Sequence, residues 1–114
     1  VADCPARCDL TGYGDGGAGG GPHLFREPEG WMRTKERIET TAYYDVVNFA
    51  RRIKVPGFYT LGFNDMVCPP TSMYSAYNLI AAPKDLFLCE ETGHFSYPEQ
   101  WTKAWLWMNK HLGK

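Results

Sequence analysis

Between residues 42 and 53 the apolar side chains Tyr43, Val46, Val47, Ala50 and Ile53 recur at spacings of three and four. That spacing predicts one face of a helix. Thr40 or Thr41 is placed to cap its start, and Pro56 stops it before the next element. Gly57-Phe58-Tyr59-Thr60-Leu61-Gly62-Phe63 is then a run of β-forming residues whose apolar positions do not alternate cleanly. Such a run predicts a buried parallel strand over 57–63. Pro69-Pro70 bends the chain, Thr71 or Ser72 can cap, and Met73, Tyr74, Ala76, Tyr77 and Ile80 predict a helix over 71–81. Leu86-Phe87-Leu88-Cys89 predicts a second strand over 86–89. Pro98 suits a first helical turn, and a final helix is expected over 98–112, with Trp101, Trp105, Met108 and Leu112 as its buried stripe.

The order helix, strand, helix, strand, helix is that of an α/β chain. Short connections imply a parallel pair joined by a right-handed crossover. Two strands make a small sheet, and one long side of the first would keep unpaired N–H and C=O groups. The pattern therefore reads as the end of a larger sheet, its open edge covered by another copy of the chain or by missing N-terminal polypeptide. The expected organisation is a single partial domain: residues 1–30 a Gly-rich irregular arm, and residues 31–114 the α/β part. Trp31 to Thr40 is charged, with few apolar positions, and fits a weak helix. The arm holds G-x-G-x-x-G twice, at Gly12-Gly14-Gly17 and Gly14-Gly16-Gly19. A dinucleotide fingerprint needs a strand before it and a helix opening on it. Cys8-Asp9-Leu10-Thr11 is a poor strand and Gly20-Gly21-Pro22 cannot continue a helix, so no cofactor is expected.

Composition narrows the partners. Twelve Lys+Arg against thirteen Asp+Glu leave a net charge of -1 over 114 residues, without the basic excess of a nucleic-acid binder. No apolar run approaches the roughly 18 residues that span a bilayer. An apolar fraction of 44% supplies a core, so the chain is not a disordered one. Cys4, Cys8, Cys68 and Cys89 are too sparse for a disulfide scaffold and lack zinc spacing. Free thiols are expected, with a Cys4–Cys8 disulfide left open. The chain opens on Val1 rather than Met, without a signal-peptide pattern, which suggests a processed or excised chain.

Ligands of open α/β sheets bind beyond the carboxyl ends of the strands. Asp65 stands two residues past the first predicted strand, and His94 five residues past the second. On adjacent parallel strands the two can meet. The acid would accept the imidazole Nδ1–H and fix its tautomer, leaving the other nitrogen free to take a proton from a nucleophile. A plain turn aspartate beside Asn64, and an ordinary surface histidine, are the competing readings. His23, in the Gly-rich arm, and His111, at a charged helix end, have weaker contexts, and the three histidines show no metal-ligand spacing.

The stretch Tyr43-Tyr44-Asp45-Val46-Val47-Asn48-Phe49-Ala50-Arg51-Arg52-Ile53 resembles the segment before the seventh strand of acetyl xylan esterases related to cephalosporin-C deacetylase. Gly62-Phe63-Asn64-Asp65-Met66-Val67-Cys68-Pro69-Pro70-Thr71-Ser72 and Glu91-Thr92-Gly93-His94-Phe95 are similar to later segments there. Cys4-Pro5-Ala6-Arg7-Cys8-Asp9 is similar to the segment just after the sixth strand. The resemblance implies the C-terminal part of an α/β-hydrolase serine esterase acting on acetylated sugars such as xylo-oligosaccharides. It also implies that Asp65 and His94 are triad members, and it makes a homo-oligomer plausible. The family's nucleophile is a serine in G-x-S-x-G. Here the serines are Ser72, Ser75 and Ser96, none in that motif, so the chain alone is expected to be inactive. Two rivals stay open: a non-catalytic binding or assembly module derived from the fold, and a peptidase or dienelactone-hydrolase-like enzyme.

Overall fold

The computed structural model describes residues 1–26, 31 and 33–113. Residues 27–30 of the predicted arm and Met32 of the weak helix lie outside the described residues. Three parallel strands form one sheet in the order β1 (Ala2–Asp3), β2 (Gly57–Gly62), β3 (Lys84–Cys89). The helices are α1 (Lys35–Ala42), α2 (Val47–Ala50), α3 (Pro70–Tyr77) and α4 (Pro98–Leu112). Among the described residues no helix is long and apolar enough to cross a membrane.

Both predicted strands are present and paired in parallel, from Gly57 opposite Lys84 to Gly62 opposite Cys89. β2 is buried along nearly its whole length, which explains why its apolar residues fail to alternate. β1 is the departure. The sequence pattern makes residues 1–30 irregular and leaves that side of β2 unpaired; instead Ala2 pairs with Tyr59 and Asp3 with Thr60. Cys4 N–H extends the ladder to the Thr60 carbonyl at 3.1 Å. A strand of two residues is too short to show any periodicity.

The sheet is covered on both faces. Tyr59, Leu61, Leu86 and Leu88 pack toward α2 and α3 in two clusters. One gathers Cys8, Ala50, Ala76 and Ile80; the other Leu61, Cys68 and Met73. An apolar cavity of about 150 Å³ lies there, lined by Cys8, Ala50, Tyr59, Leu61, Met73 and Ile80 among others. On the opposite face the Trp107 ring lies 6.0 Å from Phe58, and its Nε1–H donates to Asp85 at 2.6 Å.

Three sequence expectations need correction. The helix predicted over 42–53 breaks into the end of α1 and the short α2. Asp45 is the reason. Its buried carboxylate accepts from the backbone N–H groups of Asp9 (3.0 Å), Leu10 (2.7 Å) and Val47 (2.9 Å). A residue that serves the arm and restarts the helix two positions on cannot sit inside a continuous turn. Val46, Val47, Ala50 and Ile53 still face the core, but Tyr43 is exposed. Neither Thr40 nor Thr41 caps α2, whose N-cap is Val46; α3 likewise starts with Pro70 at its first turn rather than with a Thr71 or Ser72 cap, and it ends at Tyr77, short of the expected residue 81. Finally, α4 has the predicted limits but is rolled by about one position, roughly 100°, and of the expected stripe only Met108 is half-buried. Gln100 and Ala104 are buried against the sheet, while Trp101, Trp105 and Leu112 are 58%, 62% and 68% exposed. Periodicity marks an apolar stripe without saying which surface it meets, and small Ala104 permits the closer approach.

Replacing Asp45 with Ala strands three backbone donors in or near the core. A loss of about 2–4 kcal/mol is expected in urea unfolding, with the arm residues 9–10 showing the largest rise in amide exchange.

Candidate active site

The chain reverses at the carboxyl end of β2, where Asp65 N–H donates to the Gly62 carbonyl at 3.2 Å. This turn rolls the Asp65 carboxylate inward until its side chain has no exposure. Burial of a charge demands partners. Oδ1 takes two backbone donors, Val67 N–H at 2.8 Å and Cys68 N–H at 2.7 Å. Pro69 and Pro70 then launch α3 immediately behind. The spacing D-x-x-C-P-P therefore has a physical meaning: it is a carboxylate held by the amides two and three residues on, with the helix start fixed by prolines.

Oδ2 is left for His94, whose Nδ1 lies 2.9 Å away. A carboxylate only accepts, so Nδ1 carries the proton and Nε2 is the basic nitrogen. His94 is 45% exposed on its side chain, so the rest of the imidazole reaches solvent while Asp65 does not. The two loops are knitted by their backbones. Phe63 N–H donates to the Cys89 carbonyl at 2.9 Å, Asn64 N–H to the Thr92 carbonyl at 3.0 Å, and Asn64 Nδ2 to the Glu90 carbonyl at 3.0 Å. Gly62 makes this approach possible. A Cβ there would stand 2.6 Å from both the carbonyl and the hydroxyl of Thr92, inside any tolerable contact.

The two residues singled out from strand position are thus in contact, and the turn-former reading of Asp65 and the bonded reading are both satisfied by one geometry. The other histidines lie elsewhere. His23 Nδ1 bonds the Tyr13 hydroxyl at 2.5 Å, and His111 stacks on Trp107 at 3.8 Å between centroids. The serines are occupied by structural bonds: Ser72 to the Pro69 carbonyl (2.8 Å), Ser75 to the Thr71 carbonyl (3.0 Å), and Ser96 to Asp3.

β1 brings two groups that sequence reasoning does not assign to the site. Asp3 accepts from both Thr60 and Ser96. The Cys4 thiol lies with Asp65 and His94 in a group whose ligand-type atoms are all within 4.8 Å of one another. Burial, then the charges of Asp3 and Asp65, push that thiol up to about 12, against an opposing backbone hydrogen bond from Gly62. A thiol kept neutral, beside a carboxylate whose oxygens already hold three donors, makes a poor ligand set for a metal ion. All four cysteines are free, Cys8 and Cys68 buried, so the Cys4–Cys8 bridge left open by the sequence is not formed. The signal for Asp3 is the resemblance of Cys4–Asp9 to a segment that comes after a strand, which makes residues 1–3 a strand end.

A parallel sheet layered by helices, with a buried acid and an imidazole at neighbouring strand ends, is part of an α/β-hydrolase fold. Residues 23–111 match the family described as acetyl xylan esterase (AXE1), and the chain belongs to that family. It is 46% identical over 112 residues to the acetyl esterase Axe7A of Xylanibacter ruminicola, a match covering 98% of this chain and 25% of that protein. Solved acetyl xylan esterases from a Paenibacillus species (TM-score 0.78, 27% identity) and a Thermoanaerobacterium species (TM-score 0.77, 27% identity) superpose on 95% and 96% of it. The chain spans 36% and 37% of those two structures.

Gly62→Ala is expected to part the two loops. The low-field proton resonance of the His94 Nδ1–H bonded to Asp65 should disappear from the NMR spectrum, with a stability loss of about 1–3 kcal/mol. Gly93→Ala, where a Cβ meets nothing closer than 3.6 Å, should leave that resonance in place.

Proposed function

We propose that this chain is the C-terminal part of a serine carboxylesterase that removes acetyl groups from acetylated sugars, xylo-oligosaccharides among them. The observation that carries the reading is the 2.9 Å bond between His94 Nδ1 and a fully buried Asp65. Family membership supports the acetyl ester as substrate. His94 acts as general base on the nucleophilic serine's hydroxyl. It then returns the proton to the leaving sugar oxygen, and repeats the cycle with water on the acyl-enzyme. Asp65 orients the ring and stabilises the imidazolium. The serine and the oxyanion donors come from polypeptide other than these 114 residues. Asp65 and His94 are the catalytic residues that this chain supplies.

Two features support a working unit longer than this chain. Trp101 and Trp105 stand in solvent on α4, and the outer side of β1 has no strand paired to it among the described residues. We place the rest of the esterase, or another copy of the chain, over such surfaces and along the outer edge of β1.

In the complete esterase, His94→Ala should lower kcat for an activated acetyl ester by roughly 10⁶-fold, and Asp65→Asn by roughly 10⁴-fold through the wrong tautomer. Unchanged turnover in either variant refutes the assignment. The 114 residues alone should show no hydrolysis above background; activity that is lost on His94→Ala and blocked by a serine-directed inhibitor would show that the nucleophile is within them. Activity in the complete protein that survives His94→Ala would favour the binding-module reading of this part.

A further inference from the structure

The loop from β3 to α4 must hold His94 to a fraction of an ångström, yet little of it is regular. Its two ends are secured by backbone bonds. Thr92 accepts from Asn64 N–H at 3.0 Å, and Tyr97 N–H donates to the Gln100 side-chain oxygen at 2.7 Å, at the start of α4. Between those points, among the described residues, the anchors are two side chains bonded to two carboxylates. One is His94 on Asp65; the other is Ser96 on Asp3.

Asp3 is suited to this second task. It closes β1 opposite Thr60, so the sheet register fixes its backbone. Thr60 is 1% exposed and donates its hydroxyl to Asp3 Oδ1, leaving Oδ2 for Ser96. Two hydroxyl donors converge on one group that has only acceptors, a match an amide could not reproduce without turning one donor away. A charged acceptor also makes the stronger bond. Asp3 adjoins Cys4, whose thiol lies within 4.8 Å of ligand-type atoms of Asp65 and His94, so Asp3 is anchored beside the pair.

We propose that Asp3 is a positioning residue for His94. It acts through Ser96, two residues along the loop, and sets where the imidazole stands over Asp65. The role rests on the reading of His94 as general base. Asp3 touches neither substrate nor reacting atoms.

The test uses the complete esterase with Asp3→Ala, Ser96→Ala, the double variant, Ser96→Thr, and His94→Ala as reference. A misplaced base costs turnover rather than binding. Asp3→Ala and Ser96→Ala should each lower kcat about tenfold with KM little changed, and the double variant should be no worse than the poorer single. Ser96→Thr keeps a hydroxyl and should restore most of the rate. Deuterium uptake over residues 92–97 should rise equally in Asp3→Ala and Ser96→Ala and stay near the parent level in Ser96→Thr. Should Asp3→Ala fail to fold, Ser96→Ala against Ser96→Thr carries the comparison. Parent-like kcat and parent-like uptake in Ser96→Ala, with His94→Ala inactive, would overturn the proposal and leave the esterase reading intact. If His94→Ala is fully active the esterase reading falls; the uptake of 92–97 then still shows whether Asp3 holds the loop.

Discussion

A carboxylate with no exposure to solvent has to be satisfied by the protein, and Asp65 is satisfied from three directions. Two of its partners are amides of its own turn, so the charge is held before anything distant arrives. The third is the imidazole of the next strand's loop. This ordering explains the site. The local bonds orient the carboxylate, the orientation leaves one oxygen facing β3, and the histidine that meets it is fixed in tautomer and position. Prolines at the start of α3 and the absent side chain of Gly62 serve the same end, one by fixing the chain behind the carboxylate and the other by letting the second loop come close.

Much of this was legible in the sequence. Strand positions placed Asp65 and His94 at one rim because parallel strands with short connections put their carboxyl ends together. β2, β3 and the limits of α4 follow from composition and proline placement. The features that could not be read depend on partners far along the chain. β1 has two residues, and its existence is decided by Tyr59 and Thr60. The break between α1 and α2 is decided by amides of Asp9 and Leu10, some 35 residues earlier. The roll of α4 is decided by the surfaces that Ala104 and Trp107 meet on the sheet. Asp3 escaped notice for the same reason, since its role exists only once Ser96 is beside it.

The thiol of Cys4 shows how a relay can tolerate a reactive neighbour. Desolvation and two nearby carboxylates keep it protonated, so the sulfur is a weak nucleophile despite standing next to a base.

The two anchors of the histidine loop differ in reach. Asp65 and His94 are 29 residues apart within one strand–helix–strand unit, whereas Asp3 and Ser96 are separated by 93. A short closure costs less chain entropy than a long one, so the first contact belongs to a local module and the second ties that module to the beginning of the chain. Fraying of the first few residues would therefore be transmitted across nearly the whole polypeptide to its most demanding loop. The amino-terminal edge is a remote hinge pin of the relay, and wear at that pin would show as play in the imidazole.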